Sequence, residues 1–319
     1  MTATLKPGWS KPSAILFATE IPSNDKAFSF AMAQAREFDA DLILFHAYDT
    51  LEVTTSDAPD IRYYDYVAAA EVEKHHLGQL AERARAAGLR CEVVARPGLP
   101  ADQILGFVRE REIDRVVMGT HSPGPIGKLL VGSVAEAVLR NAPVPVFVVG
   151  PEAVSGDYRS FATRTILCAV SMVESSSRVA DFASELAAQH QARLILQHVV
   201  RPQERAEVLA GGSLDDAEAH MLALVPARLQ GKIAVQTVVV PGDPTEELLY
   251  QSRAQKADLI VMGAQGASAF AAATRSGVVY KVLAHATCPV ITLSPVVLEE
   301  SGLKKEKVRP SEAYIAGAF

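Results

Sequence analysis

Short apolar runs rich in β-branched residues alternate along the chain with stretches in which apolar residues recur every three or four positions. Between the first two runs, Phe28, Ala31 and Ala35 show this helical spacing. The apolar runs predict ten strands, near residues 14–18, 41–47, 90–95, 114–118, 144–149, 165–170, 193–200, 232–240, 258–262 and 289–294. Strands that alternate with helices form parallel sheets, and right-handed crossovers place helices on both faces. The pattern therefore predicts an α/β fold of the doubly wound, Rossmann-like class.

The two halves of the chain carry matching patterns. The run at 14–18 recurs at 165–170, and the block at 41–46 recurs at 193–198. Three more blocks recur in the same order, each 144 positions later; they begin at Arg96, Val117 and Ala142. Five ordered matches indicate a tandem duplication, so the chain is interpreted as two copies of one five-stranded, parallel-sheet domain. The predicted division is an N-terminal extension at 1–11, domains at 12–150 and 163–296, a linker at 151–162 and a C-terminal tail at 297–319.

The composition narrows the classes of function. Hydrophobic residues make up 49% of the chain and charged residues 21%, which is typical of a protein with a buried core rather than of a disordered one. The 31 basic and 37 acidic side chains leave a net charge of −6, which argues against a nucleic-acid or anionic-membrane partner.

The three cysteines lie far apart and predict neither disulfides nor a zinc site. Neither a signal peptide nor a run of about 18 apolar residues is found, so the expected location is the cytoplasm.

Loops with glycines follow the fourth strand of each copy. In open α/β sheets, ligands bind beyond the carboxyl ends of the strands, so these loops are the first place to look for a site. The recurring positions are Gly119, Ser122, Gly132 and Ser133 in the first copy, and Gly263, Gly266, Ser276 and Gly277 in the second. Glycine lets a phosphate approach the backbone, and free N–H groups at the start of a helix favour an anion. The loops therefore suit a di- or triphosphate.

The duplication and the loop spacing together resemble the universal stress protein family in its tandem, two-repeat form, over residues 12–150 and 163–296. ATP-binding members of that family carry Gly-two-Gly-nine-Gly-Ser/Thr after the fourth strand and an Asp at the end of the first. Their adenine lies against the backbone just after the second strand. The resemblance implies an adenine-nucleotide fold that binds ATP, with Mg²⁺ as its companion ion. When the family's binding positions are matched to this sequence, the resemblance adds three candidate ligand-binding residues to those of the loops: Glu20, Ala47 and Val199.

Both copies depart from the family pattern, although both keep its spacing. In the first copy, Ser122 replaces the second glycine and Glu20 stands where Asp is expected. In the second, Ser171 replaces the Asp, and the final pair is inverted to Ser276 and Gly277. The nucleotide is therefore expected mainly in the first copy.

No catalytic constellation is found, so the leading interpretation is a non-catalytic stress-response protein that holds an adenine nucleotide. One alternative is a degenerate stress protein that no longer binds nucleotide and acts as a scaffold or takes another small or lipidic ligand. A slow nucleotide hydrolase that depends on Glu20 is the third hypothesis.

The last strands, near 144–149 and 290–293, are apolar edge strands and are expected to pair with each other, which makes the chain an internal pseudo-dimer. Further association into a homodimer stays open. His46 and His198 end the second strands of the two copies and are interpreted as polar strand-end residues rather than catalytic ones.

Overall fold

The computed structural model describes residues 9, 11–21, 23–48, 59–120, 131–154, 162–171, 176–201, 214–264 and 277–299. The strands are β1 (Ala14–Ala18), β2 (Asp41–Tyr48), β3 (Cys91–Pro97), β4 (Arg115–Gly119), β5 (Val146–Val149), β6 (Thr165–Ala169), β7 (Arg193–Val200), β8 (Val235–Pro241), β9 (Leu259–Gly263) and β10 (Val290–Leu293). The helices are α1 (Asp25–Phe38), α2 (Pro59–Ala86), α3 (Pro100–Glu110), α4 (Ser133–Asn141), α5 (Ser176–His190), α6 (Leu214–Ala223), α7 (Pro244–Ala254), α8 (Val278–His285) and α9 (Pro295–Glu299). All ten predicted strands are present, and the predicted doubly wound class is confirmed.

The ten strands form one continuous sheet rather than two separate ones. Its order is β3-β2-β1-β4-β5-β10-β9-β6-β7-β8, and every neighbouring pair is parallel except β5 and β10. These two strands run antiparallel, with Val148 opposite Val290 and Val146 opposite Thr292. The expected pairing of the last strands therefore occurs, and it removes two apolar edges that would otherwise expose unpaired backbone groups.

Apolar side chains cover both faces of the sheet. Phe28 of α1 and Phe182 of α5 belong to the cluster on one face, while Ile104 of α3 and Leu248 of α7 belong to the cluster on the other. Both clusters contain residues of both repeats, so the core is continuous across the junction. This continuity arises because side chains alternate between the faces of every strand, and the strands form one sheet.

The packed body reaches beyond the sheet at both ends of the chain. Trp9 is buried at 3% exposure, and its carbonyl oxygen accepts a hydrogen bond from Arg115 at 3.0 Å. At the other end, α9 places Val297 and Leu298 in the core at 2% and 5% exposure. Trp9 and the pair Val297 and Leu298 are too few to show a helical or strand periodicity. The sequence pattern therefore placed them in the N-terminal extension and the C-terminal tail.

The two repeats cap the helix after their third strand differently, and this difference predicts two opposite stability changes. Asp243 accepts hydrogen bonds from the amides of Thr245 at 2.8 Å and Glu246 at 3.1 Å. Leu99 occupies the same position before α3, with an extended backbone, no side-chain cap and 61% exposure. We expect Asp243→Ala to lower the free energy of unfolding by about 1 kcal/mol, and Leu99→Asp to raise it by about the same amount.

The charge of the cap predicts how the loss depends on pH. Burial acts to raise the pKa of the Asp243 carboxyl, but the amides of Glu246 and Thr245, the Thr245 side chain and the charge of Lys281 together outweigh it and lower that pKa from its ordinary 3.8. The stabilisation is therefore present above pH 3.8 and is lost as the pH falls through the lower, folded-state value. Urea unfolding of wild type and Asp243→Ala between pH 7 and pH 3 should show the difference shrinking. A difference that stays constant over this range would contradict the assignment.

Candidate functional site

A cavity of about 380 Å³ opens where β1, β2 and β4 end in the first repeat. This is the edge of an open α/β sheet at which ligands bind, and the volume lies within the range of small-molecule sites. Its lining residues are Phe17, Ala18, Thr19, Glu20, Ile21, Asn24, Phe45, His46, Ala47, Pro100, Ile104, Gly119 and Val134. Apolar side chains are the more numerous in the lining, but polar groups at the strand ends contribute almost as much of its exposed surface.

The structure brings several of the sequence-predicted residues to this cavity. Glu20, Ala47 and Gly119 line it directly. Gly132 and Ser133 stand at the start of α4, whose next residue, Val134, also lines the cavity. Ser122 falls outside the residues that the structure describes.

Gly132 leaves open space at the start of α4. It is the N-cap residue, with φ −64° and ψ 158°, a backbone conformation that any residue adopts. Among the residues that the structure describes, a Cβ built on it would meet no atom within 4 Å, and no side chain caps this helix end. Neither the backbone conformation nor the packing of these described residues requires a glycine here. The space lies at the positive end of a helix, where free N–H groups favour an anion.

Gly119 has a different reason to be glycine. A Cβ on it would lie 2.7 Å from the Cβ of Asn24, closer than side chains pack. Asn24 is held there because its Oδ1 accepts hydrogen bonds from the amides of Lys26 and Ala27, both at 3.1 Å, and so caps α1. Asn24 was not among the residues predicted from the sequence, although an Asn directly before a helical stripe is an N-cap signal that identifies it.

The paired histidines join the first two strands of each repeat. His46 Nδ1 lies 2.9 Å from the carbonyl oxygen of Thr19, and His198 Nδ1 lies 3.1 Å from that of Val170. A carbonyl only accepts, so in both rings Nδ1 is the nitrogen that carries the proton and donates. The other nitrogen of His46, Nε2, lies 3.4 Å from a carboxylate oxygen of Glu73 on α2. Each histidine lies two residues before the end of its strand rather than at the end as the sequence predicted, and in the first repeat the bond fixes the carbonyl next to Glu20.

The corresponding residues of the second repeat have different surroundings. Gly263 ends β9, but a Cβ on it would meet apolar atoms of Val179 and Leu298 at 3.4 and 3.6 Å. The Ser171 hydroxyl, at the position of the family's Asp, lies 2.9 Å from the hydroxyl of Ser176. Val199 at the end of β7 is buried at 8% exposure. Gly266 and Ser276 fall outside the described ranges.

The inverted glycine–serine pair shortens the second helix. Both helices end in matching C-caps, Ala142 after α4 and Ala286 after α8, so Gly277 aligns with Ser133 when counted from that end. Helix α8 begins one residue later, and Gly277 becomes its N-cap with φ −68° and ψ 146°. Glycine is disfavoured inside helices, which accounts for the later start. The second repeat thus lacks the serine hydroxyl in the first helical turn.

Comparison with known proteins decides the family. The sequence model described as the universal stress protein family matches residues 13–150 and 162–294. The chain belongs to that family. Universal stress protein MJ0531 of Methanocaldococcus jannaschii is 29% identical over 124 residues, which cover 39% of this chain and 73% of the relative. A universal stress protein from Thermus aquaticus is 32% identical over 130 residues, or 39% of this chain and 88% of the relative.

A solved universal stress protein has the same overall fold. The crystal structure of a universal stress protein from Archaeoglobus fulgidus DSM 4304 superposes with a TM-score of 0.69, covering 90% of this chain and 97% of that one at 19% identity. At this level of identity the likeness establishes the fold. Within the ranges described above, this universal stress protein has no helix long and apolar enough to cross a membrane.

The two universal stress repeats also differ beneath their strand ends. In the first, Phe45 of β2 packs on Phe107 of α3 with ring centroids 5.0 Å apart. The equivalent positions of the second repeat hold Gln197 and Gln251. Gln197 is buried at 2% exposure. In the part of the chain that the structure describes, neither Oε1 nor Nε2 of its side-chain amide has a hydrogen-bond partner. The second repeat is therefore not a chemical copy of the first.

Proposed function

We propose that this universal stress protein is a non-catalytic stress-response protein that binds ATP, chiefly in the first repeat. The observation that carries the proposal is Gly132, a glycine that neither its backbone conformation nor the packing of the described residues requires, at an uncapped helix start beside a cavity. A residue without a side chain at this place leaves room for a group that the chain itself does not supply. A phosphate is the group that a helix N-terminus favours.

Each part of the site has a role in the proposal. The amides of Ser133 and Val134 and the Ser133 hydroxyl would hold phosphate oxygens, and the backbone at Ala47 would face the adenine. Glu20 is the one carboxylate among the described lining residues, and none of them is lysine or arginine. A carboxylate next to phosphates repels them, so Mg²⁺, which binds through carboxylates and phosphate oxygens and offsets their charge, is expected to strengthen binding.

Titration calorimetry with ATP tests the proposal. We expect the wild-type chain to bind ATP more tightly with Mg²⁺ than without it. Gly132→Val should weaken this binding by about tenfold or more, because its side chain enters the space beside the amides at the helix start. Its melting temperature should fall only by the small amount that a valine N-cap costs relative to glycine, because a Cβ at this position meets no atom of the described residues within 4 Å.

Gly277→Val is the matched control, because it changes the N-cap glycine of the second repeat. It should leave most of the ATP affinity in place if the first repeat is the main site. An absence of heat at high micromolar ATP, or equal affinities for wild type and Gly132→Val, would refute the proposal.

The apolar side chains of the lining, among them Phe17, Phe45 and Ile104, favour a second candidate, a scaffold or carrier that holds another small or lipidic molecule there. Mass spectrometry of the ligand retained through purification separates the two. Co-purified ATP supports the first candidate, and an unrelated apolar molecule supports the second. A hydrolase would in addition release phosphate from ATP at a rate that falls on Glu20→Gln.

A further inference from the structure

The outer face of α7 in the second repeat carries an exposed aromatic side chain beside a surface depression. Tyr250 is 67% exposed, although most large hydrophobic side chains of the described ranges are buried. The depression has a volume of about 530 Å³, and its described lining consists of Glu246, Leu249, Tyr250, Arg253 and Ala254. An aromatic ring next to an open depression is an arrangement common at protein interfaces, where Tyr and Arg are enriched.

Two opposite charges flank the tyrosine on the same helical face. Glu246 and Arg253 are exposed, and in the described part of the chain neither side chain makes an ion pair or a hydrogen bond. They are seven residues apart, which is about 10 Å along a helix, so they are too far from each other to pair. Both charges are therefore available to an outside partner.

The arrangement is complementary to itself. The midpoint between Glu246 and Arg253 falls between Leu249 and Tyr250. A second α7 that crosses the first antiparallel at this midpoint sets each Glu246 opposite the Arg253 of the other copy. It also brings each Tyr250 ring to the depression of the other copy. A two-fold interface has this property, because each residue meets a different residue of an identical surface.

We propose that a second copy of this chain docks on the outer face of α7, forming a two-fold homodimer centred on Leu249 and Tyr250. The first repeat supports the assignment by contrast. At the equivalent positions α3 keeps the charges, as Asp102 and Arg109, but Gly106 stands in place of the tyrosine. The α3 face therefore has no aromatic anchor, and we expect dimerisation through α7 alone. One helix pair buries a small area, so the dissociation constant should be on the order of 10–100 μM.

Charge reversal tests the geometry, with sedimentation velocity of the full chain from about 5 μM to 1 mM as the measurement. In a dimer of Glu246→Arg, both contacts between positions 246 and 253 set two arginines against each other. In a dimer of Arg253→Glu, both contacts set two glutamates against each other. Each single variant should therefore dimerise at least tenfold more weakly than the wild type. The double variant Glu246→Arg/Arg253→Glu restores opposite pairs and should recover the wild-type constant to within about threefold. An equimolar mixture of the two single variants should form a heterodimer, because both of its contacts then join opposite charges.

Tyr250→Ala should abolish the dimer, whereas Asp102→Arg on α3 should leave it unchanged. Thermal unfolding of each variant confirms that these exposed substitutions leave the fold intact. A wild-type chain that stays monomeric at 1 mM would overturn the proposal. So would single variants that dimerise like the wild type, or a mixture of them that does not associate.

Discussion

Gly150→Ala is expected to lower the free energy of unfolding by about 3 kcal/mol, at the upper end of the range for overpacking. Gly150 directly follows β5, and an added Cβ would lie 2.3 Å from the carbonyl oxygen of Leu283 in α8. That oxygen belongs to the backbone of the other repeat, so it cannot turn aside as the end of a side chain can. Relief requires β5 and α8 to move apart, which strains the antiparallel pairing of β5 with β10.

The opposite repeat makes a related contact in another way. Ser294 directly follows β10, and its hydroxyl donates a hydrogen bond of 2.5 Å to the carbonyl oxygen of Ala142 at the end of α4. Gly150 thus lets the end of β5 approach α8, and the Ser294 hydroxyl holds the end of β10 against the end of α4. The junction between the repeats depends on both.

Urea unfolding measures the effect, and Gly106→Ala is the control. Gly106 lies within α3, where a Cβ meets no atom of the described ranges within 4 Å, so the same substitution should stabilise the protein by about 0.5–1 kcal/mol. The two glycine-to-alanine changes should therefore have opposite signs. A loss of less than about 1 kcal/mol for Gly150→Ala would contradict the close approach of the repeats.

Arg115→Ala is expected to cost about 3–5 kcal/mol, the range for removing one member of a buried charged network. Arg115 begins β4 and is fully buried. Its guanidinium lies 4.7 Å from the ring centre of Phe38 and 4.6 Å from that of Phe147. It donates hydrogen bonds to the Gln34 side chain and to the carbonyl oxygen of Trp9.

The charge of Arg115 is retained at neutral pH. Burial lowers the pKa of its guanidinium from its ordinary value to about 9, against the opposing attraction of Glu37 and Asp114. A pKa near 9 keeps the group protonated at pH 7, so the hydrogen bonds it donates are charged ones, which are stronger than neutral ones. Its removal leaves a cavity between two rings and unpaired oxygens on Gln34 and Trp9.

Arg115→Leu is the matched variant, because Leu259 occupies this position in the second repeat. It fills part of the cavity and should cost less than alanine, about 1–3 kcal/mol, mainly for the oxygens left unpaired. Denaturation followed by fluorescence suits this test, because Trp9 is the single tryptophan of the chain and contacts Arg115. Equal losses for both variants, or an alanine variant as stable as the wild type, would contradict this account.

The arrangement of strands and helices could be predicted from sequence because it depends on local periodicity. Runs such as 14–18 and 165–170 have apolar residues at both faces, which is typical of strands covered by helices on both sides. The duplication then predicted that the two last strands would meet, since apolar edges seek partners. The terminal contacts of Trp9 and Leu298 could not be predicted, because each depends on one or two residues with no repeating pattern.

The candidate site was predictable in outline through the glycine spacing and the family resemblance. Sequence placed Glu20, Ala47 and Gly119 together at the strand ends, and the cavity lies there. Sequence treats Gly119 and Gly132 alike, as two glycines of one loop pattern. Only the structure distinguishes them, because Asn24 packs against the first, whereas no described residue comes within 4 Å of a Cβ on the second.

By itself, the sequence determined the family, the two repeats and the succession of strands and helices along the chain, because these follow from patterns repeated along the chain. The tertiary structure decided which face of each element is covered. It set Gly150 against Leu283 of the other repeat, and it left Tyr250 exposed between two charges. Such contacts join residues far apart in the chain, so they depend on strand register and helix docking, which no local pattern encodes.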